Sequence, residues 1–156
     1  MIDQYRRTGW LAAILLLALA GETRAEEDAR RPPYVEPRQV QAWLDQGRPV
    51  TWLDVRAADE FATGHIAGAR NIVYDQVASI IPELSRNGPI VLYCIHSAHR
   101  APEAARALMA AGFDHVYVLE GGIVAWQAAG LPIRAADLAK APAILPYTER
   151  CKNKPK

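Results

Sequence analysis

Three short stretches of this chain are apolar almost without a break. They are Val50-Thr-Trp-Leu-Asp-Val55, Pro89-Ile-Val-Leu-Tyr93 and His115-Val-Tyr-Val-Leu119. A strand with only one face on a core alternates polar and apolar residues, so continuous runs of this length predict strands covered on both faces. Between them the apolar positions fall at helical spacing. A helix is expected after Pro37, carrying Val40, Trp43 and Leu44 and stopped by Gly47. Others are expected over Ala57 to Thr63, ended by Gly64, over Val77 to Leu84, over Ala101 to Ala111, closed by Gly112, and over Ile123 to Ala129. Arg70 to Tyr74 predicts a further short strand. Strands and helices that alternate with short connections define a three-layer α/β domain, a largely parallel central sheet flanked by helices. Ligands of such domains sit beyond the carboxyl ends of the strands, which directs attention to the segment leaving Tyr93.

The two flanks read differently. Arg6 and Arg7 precede an apolar run from Trp10 to Ala20, and Thr23-Arg24-Ala25 forms a small-x-small pattern before Glu26-Glu27-Asp28. This order predicts a secretory signal peptide over residues 1–25, and so a periplasmic or secreted protein. The run is shorter than the roughly 20 residues that a membrane span needs, so no stable span is expected after cleavage. Residues 26–36 are charged and proline-containing and are expected to be a flexible lead-in to a domain over 37–133. A C-terminal tail, 134–156, is expected to be partly loose.

Removing the signal takes Arg6, Arg7 and Arg24, with Asp3 and Glu22, from 18 basic and 17 acidic residues, leaving 15 of each. A balanced charge favours neither nucleic acid nor an anionic membrane as partner. There are 2 cysteines, Cys94 and Cys151, which is few for an exported protein held by disulfides. Without a Cys-x-x-Cys or a His-Glu-x-x-His no metal is expected, and nothing in the sequence calls for a cofactor.

The chemistry gathers in Cys94-Ile95-His96-Ser97-Ala98-His99-Arg100, which joins a covered strand to a helix. A turn there directs successive N–H groups inward, and the helix adds its positive end. Such a nest suits an anion, and suits a thiolate equally. Arg100 can close the ring with its fork on an oxyanion, and His96 and His99 add donors. A nucleophile here must be reachable from solvent; packed away from it, Cys94 is what a cysteine at a strand end ordinarily is, a small buried hydrophobe. The partner of Arg100 is expected to be the ligand.

Several separated segments resemble the rhodanese family. Leu53-Asp54-Val55-Arg56, Glu60-Phe61 and Gly64-His-Ile-Ala-Gly-Ala-Arg-Asn-Ile72 are similar to its first signature, and Val91-Leu-Tyr-Cys94 to its catalytic strand. Gly112-Phe113, Gly121-Gly122, Ala125-Trp126 and Gly130-Leu131-Pro132 resemble its second. The resemblance implies a rhodanese-like three-layer fold and a thiosulfate sulfurtransferase-like enzyme or sulfane-sulfur carrier. Cys94 would hold the sulfur as a persulfide, and the partners would be a small sulfur-containing anion and a thiol or other thiophilic acceptor. Asp54 and Arg56 are expected to form a scaffold ion pair, and Trp126 to pack in the core.

One departure keeps alternatives open. Sulfurtransferases of this family carry a loop resembling Cys-x-x-Gly-x-x. Here the loop is one residue longer, lacks the glycine, and ends Arg100-Ala101-Pro102. That is similar to the rhodanese-fold dual-specificity phosphatases and arsenate reductases. Cys151, between Arg150 and Lys152, can act as a resolving thiol in a thiol–disulfide pair with Cys94, or be a tail cysteine without a role.

Overall fold

A computed structural model describes residues 31–135. The expected signal peptide, residues 26–30 of the lead-in and Cys151 lie outside the described residues. Five parallel strands form the central sheet in the order β1-β6-β5-β2-β4. They are β1 (Tyr34–Val35), β2 (Thr51–Asp54), β4 (Arg70–Asn71), β5 (Ile90–Tyr93) and β6 (Val116–Leu119). Helices α1 (Pro37–Asp45), α2 (Ala58–Thr63), α3 (Arg100–Ala110) and α4 (Gly122–Ala128) complete the layers. None of the described helices is long and apolar enough to cross a membrane.

The two faces of the sheet follow from the period-two geometry of a strand. Leu53, Ile90, Leu92, Val116 and Val118 point to one side, where Ala101, Ala104, Ala105 and Leu108 of α3 pack on them. Trp52, Val91, Tyr93 and Leu119 point to the other, against Val40 of α1 and Ile123 and Trp126 of α4. Both faces are thus apolar, which is why the strands read as unbroken runs. Trp126 meets Trp52 edge-on at 5.1 Å and donates its Nε1–H to the Pro132 carbonyl at 2.9 Å. The ring pair itself contributes about 1 kcal/mol beyond its buried area.

Four local expectations are corrected. Tyr34 and Val35, placed in the flexible lead-in, form the edge strand β1 beside β6. The strand expected over Arg70 to Tyr74 stops at Asn71, and Tyr74–Glu83 forms 3-10 turns where an α-helix was expected from Val77. Pro82 lacks the donor an α-helix needs there, and the buried Val77 and Ile80 are three apart, matching the tighter period. Finally, β3 (His65–Ile66) and β7 (Ile133–Arg134) pair antiparallel as a separate ribbon, so Arg134, assigned to the tail, belongs to the fold.

Candidate active site

Cys94 follows directly on β5, the strand at the middle of the sheet, and the loop it opens runs to Arg100 at the start of α3. The near end of that loop is set by α4. The N–H of Ile123 donates to the Cys94 carbonyl at 3.1 Å, and that of Val124 to the Ile95 carbonyl at 3.2 Å. These carbonyls are therefore turned toward α4. Such an approach leaves no room for a side chain at Gly122, where a Cβ would stand 2.4 Å from each of the two oxygens.

Ser97 holds the loop from within. Its φ is 53°, the left-handed region that a glycine enters freely and a serine does not. The serine is buried, its hydroxyl accepts the Cys94 N–H at 3.5 Å, and its carbonyl accepts the phenol of Tyr34 at 3.3 Å. The loop thus takes at Ser97 the conformation that the family's glycine would favour, fixed by hydrogen bonds at both ends. Ile95, Ser97, Ala98 and His99 donate to no backbone carbonyl among the described residues. Ile95, His96 and Ala98 are half-buried and His99 is exposed. Tyr34 is 51% exposed, yet close enough for a Cys94 thiolate to raise its phenol's pKa, second to partial burial.

Two expectations, an accessible sulfur and an Arg100 held for the ligand, meet a correction. Cys94 is 3% exposed and counts among the residues of the α3-side core. It is not enclosed by apolar groups alone: the sulfur is near enough to Arg100 to help, after Glu60, in raising the guanidinium's pKa. Arg100, in turn, does not hold its fork open. Nη1 donates to Glu60 Oε2 at 2.6 Å and Nη2 to Oε1 at 3.1 Å, so the partner expected to be a ligand is a carboxylate of α2. Glu60 Oε2 also accepts the Ala57 N–H at 3.0 Å, closing the first turn of α2. Nothing local in the sequence announces this pair, since its members are 40 residues apart.

Burial works against the charge on each partner, and the pairing outweighs it. Partial burial alone would raise the Glu60 pKa. The hydrogen bonds from Arg100 and Ala57, with the positive field of Arg100 and Arg56, bring it below the ordinary value. Burial alone would lower that of Arg100. Hydrogen bonds and attraction from Glu60 and Cys94 raise it. A carboxylate with a depressed folded pKa stabilises the fold above its unfolded pKa, about 4.3, and loses that contribution as pH falls through the folded value. Melting the wild type and Glu60→Gln between neutral and acid pH should show their midpoints converging below about pH 4. Parallel curves would mean that the pair contributes nothing to stability.

Beneath the loop lies a second ion pair. Arg56 Nε donates to Asp54 Oδ1 at 2.9 Å, and Arg56 Nη2 donates to the Gly64 carbonyl at 2.6 Å. The two side chains are 1% and 0% exposed. Burial disfavours the Arg56 charge, but the hydrogen bonds and charge of Asp54 more than restore it. Asn71 ties the same turn to β4 by donating to the Asp54 and Arg56 carbonyls at 3.0 and 2.9 Å. Tyr93 raises this platform toward the sheet by accepting the Ile66 N–H at 3.0 Å, and burial followed by the Asp54 charge pushes its phenol's pKa up. Buried pairs of this kind cost several kcal/mol to break by removing one member, while adding little as a unit. Here they fix the turn from which Glu60 rises.

The sequence marks Glu60 only as part of the Glu60-Phe61 segment of the resemblance and gives no sign of Tyr34. Glu60 stands between the platform and the loop, and Tyr34 reaches the loop from the sheet edge. No group of three or more His, Cys, Asp or Glu side chains arranged to hold a metal occurs among the described residues.

A cysteine at the carboxyl end of the middle strand, a loop closed by an arginine, and a buried Asp–Arg turn are parts of one family's architecture. The Rhodanese-like domain family matches residues 36–129, and the chain belongs to it. The thiosulfate sulfurtransferase GlpE of Pseudomonas aeruginosa is 34% identical over 93 residues, which cover 60% of this chain and 82% of that one. The "Probable adenylyltransferase/sulfurtransferase MoeZ" of Mycobacterium tuberculosis is 38% identical over 100 residues, 63% of this chain but only 25% of the relative's length. Among solved structures, the rhodanese-like domain of an Anabaena protein superposes with a TM-score of 0.62 at 31% identity, covering 71% of this chain and 85% of that domain.

Proposed function

We propose that the protein is a sulfurtransferase or sulfane-sulfur carrier working through Cys94. The observation that carries this is Cys94 standing at the carboxyl end of the middle strand and opening a loop that ends at Arg100. The Arg100 cation attracts the negative charge that moves through this place in the transfer, last of all on the terminal sulfur of a persulfide. With thiosulfate as donor, the Cys94 thiolate attacks the outer sulfur. A bond forms between the two sulfurs, the donor's S–S bond breaks, and sulfite leaves with the electron pair. A thiolate or cyanide then attacks the terminal sulfur of the persulfide and carries it away, and the Cys94 thiolate is the leaving group. The loop amides between Ile95 and His99 stabilise the anionic sulfur at each stage. The near neighbour named thiosulfate sulfurtransferase, matched over 82% of its length, supports the same chemistry.

Phosphate or arsenate chemistry would call on the Arg100 cation for a tetrahedral oxyanion, and Glu60 already pairs its Nη1–Nη2 edge and balances its charge. This weighs for sulfur transfer despite the long loop. The basic, apolar and small residues in order over 1–25 support export, so that the working chain acts in the periplasm or outside the cell. A single measurement reads both claims. The intact mass of protein recovered from an exporting cell, before and after thiosulfate, should correspond to a chain beginning at Glu26 and should then gain one sulfur. An unchanged mass with thiosulfate and with a persulfide donor alike would refute sulfur transfer, and a retained N-terminus would refute cleavage.

A further inference from the structure

We infer that Glu60 sets donor specificity by withholding the Arg100 fork from doubly charged oxyanions. The inference rests on the sulfur-transfer reading for its substrate classes, and on the ion pair itself for its physics. Arg100 uses Nη1 and Nη2 on the two oxygens of the Glu60 carboxylate, at 2.6 and 3.1 Å. A planar guanidinium has two edges with paired donors, and Glu60 takes the Nη1–Nη2 one, which leaves a sulfonate or phosphate the Nε side. An incoming oxyanion must therefore displace Glu60 or bind beside it, on a cation whose charge a carboxylate already balances.

Charge acts in the same direction. A Cys94 thiolate and the Glu60 carboxylate together outnumber the Arg100 cation by one, while Asp54 and Arg56 below cancel each other. A thiosulfate dianion entering this arrangement meets net repulsion. A small-thiol persulfide presents its outer sulfur without an oxyanion beside it, and has no use for the fork. Specificity of this sort comes from an element that disfavours the wrong ligand rather than from one that attracts the right one. Glu60 is well placed to be that element: its side chain is 15% exposed, against 27% for Arg100, and the Ala57 N–H anchors it. Glu60 acts through Arg100 and is thus a positioning residue.

Glu60→Gln removes the charge and keeps an oxygen for the Ala57 N–H. Two donors, thiosulfate and glutathione persulfide, should be compared in wild type and variant by their kcat/KM for sulfur delivery to a common acceptor. The ratio of thiosulfate to persulfide should rise by about five- to tenfold in the variant, most of it through a lower thiosulfate KM. Sulfate binding, followed by calorimetry on the full chain, should tighten by a similar factor. Loss of a merely structural residue would weaken binding, and could not produce this gain. Should Glu60→Gln fail to fold, Glu60→Ala puts the same question. A ratio that stays level or falls, together with sulfate affinity no higher than in the wild type, overturns the role given to Glu60. Sulfur loading from neither donor in the wild type would instead sink the sulfur-transfer reading, and sulfate affinity would still decide for or against Glu60.

Discussion

Replacing Gly122 with alanine is expected to lower the thermal midpoint by more than about 10 °C, a loss on the order of 3 kcal/mol for a domain of this size. Two costs add. Gly122 has a φ of +61°, which charges any residue with a Cβ roughly 1–2 kcal/mol. The new methyl would also stand 2.4 Å from the Cys94 and Ile95 carbonyl oxygens and 2.7 Å from the Ile95 carbonyl carbon, all of them backbone. The only relief is to move α4 off the loop, stretching the bonds from the Ile123 and Val124 N–H groups. Gly130→Ala is the matched control: its φ is +74°, and a Cβ there meets nothing within 4 Å. Comparing the two midpoints separates backbone conformation from the docking of α4. Equal losses would show that α4 does not clamp the loop.

Cys94→Ser is expected to abolish sulfur loading and to lower turnover by at least about 1,000-fold, because the hydroxyl is a far weaker nucleophile and forms no persulfide. Its effect on stability should be small, since serine differs by one atom and keeps the backbone N–H that Ser97 accepts. Peptide mass mapping after thiosulfate treatment places the added sulfur. In the wild type it should sit on the peptide holding Cys94, and in the variant nowhere, with Cys151 still present. Loading that survives in Cys94→Ser and moves to the Cys151 peptide would transfer the chemistry to the tail.

What could be read in advance follows from the physics of each part. The strands β2, β5 and β6 were legible because burial on both faces leaves only apolar residues, and from them came the three layers and the position of Cys94. The edge strand β1 was not, because a two-residue strand beside Pro32 and Pro33 carries no period of its own. The β3–β7 ribbon joins Ile66 to Ile133, a pairing that no local pattern encodes. At the site, the loop and its arginine were visible as a spacing. The partner of that arginine was not, since a carboxylate on another helix declares itself only when the chain is folded. The burial of Cys94 follows from the same alternation that sends Leu92 into the core, two residues earlier on the same face.

The matched stretch, 36–129, ends short of contacts at both sides. Tyr34, whose phenol steadies Ser97, precedes it, and Pro132, whose carbonyl receives the Trp126 indole, comes after. A fragment trimmed to the family limits would keep Cys94, Glu60 and Arg100 but leave β6 as a bare edge and Trp126 without its acceptor. The reactive turn therefore belongs to a unit somewhat larger than the homology outlines, and the residues just beyond those limits are the ones that keep it in shape.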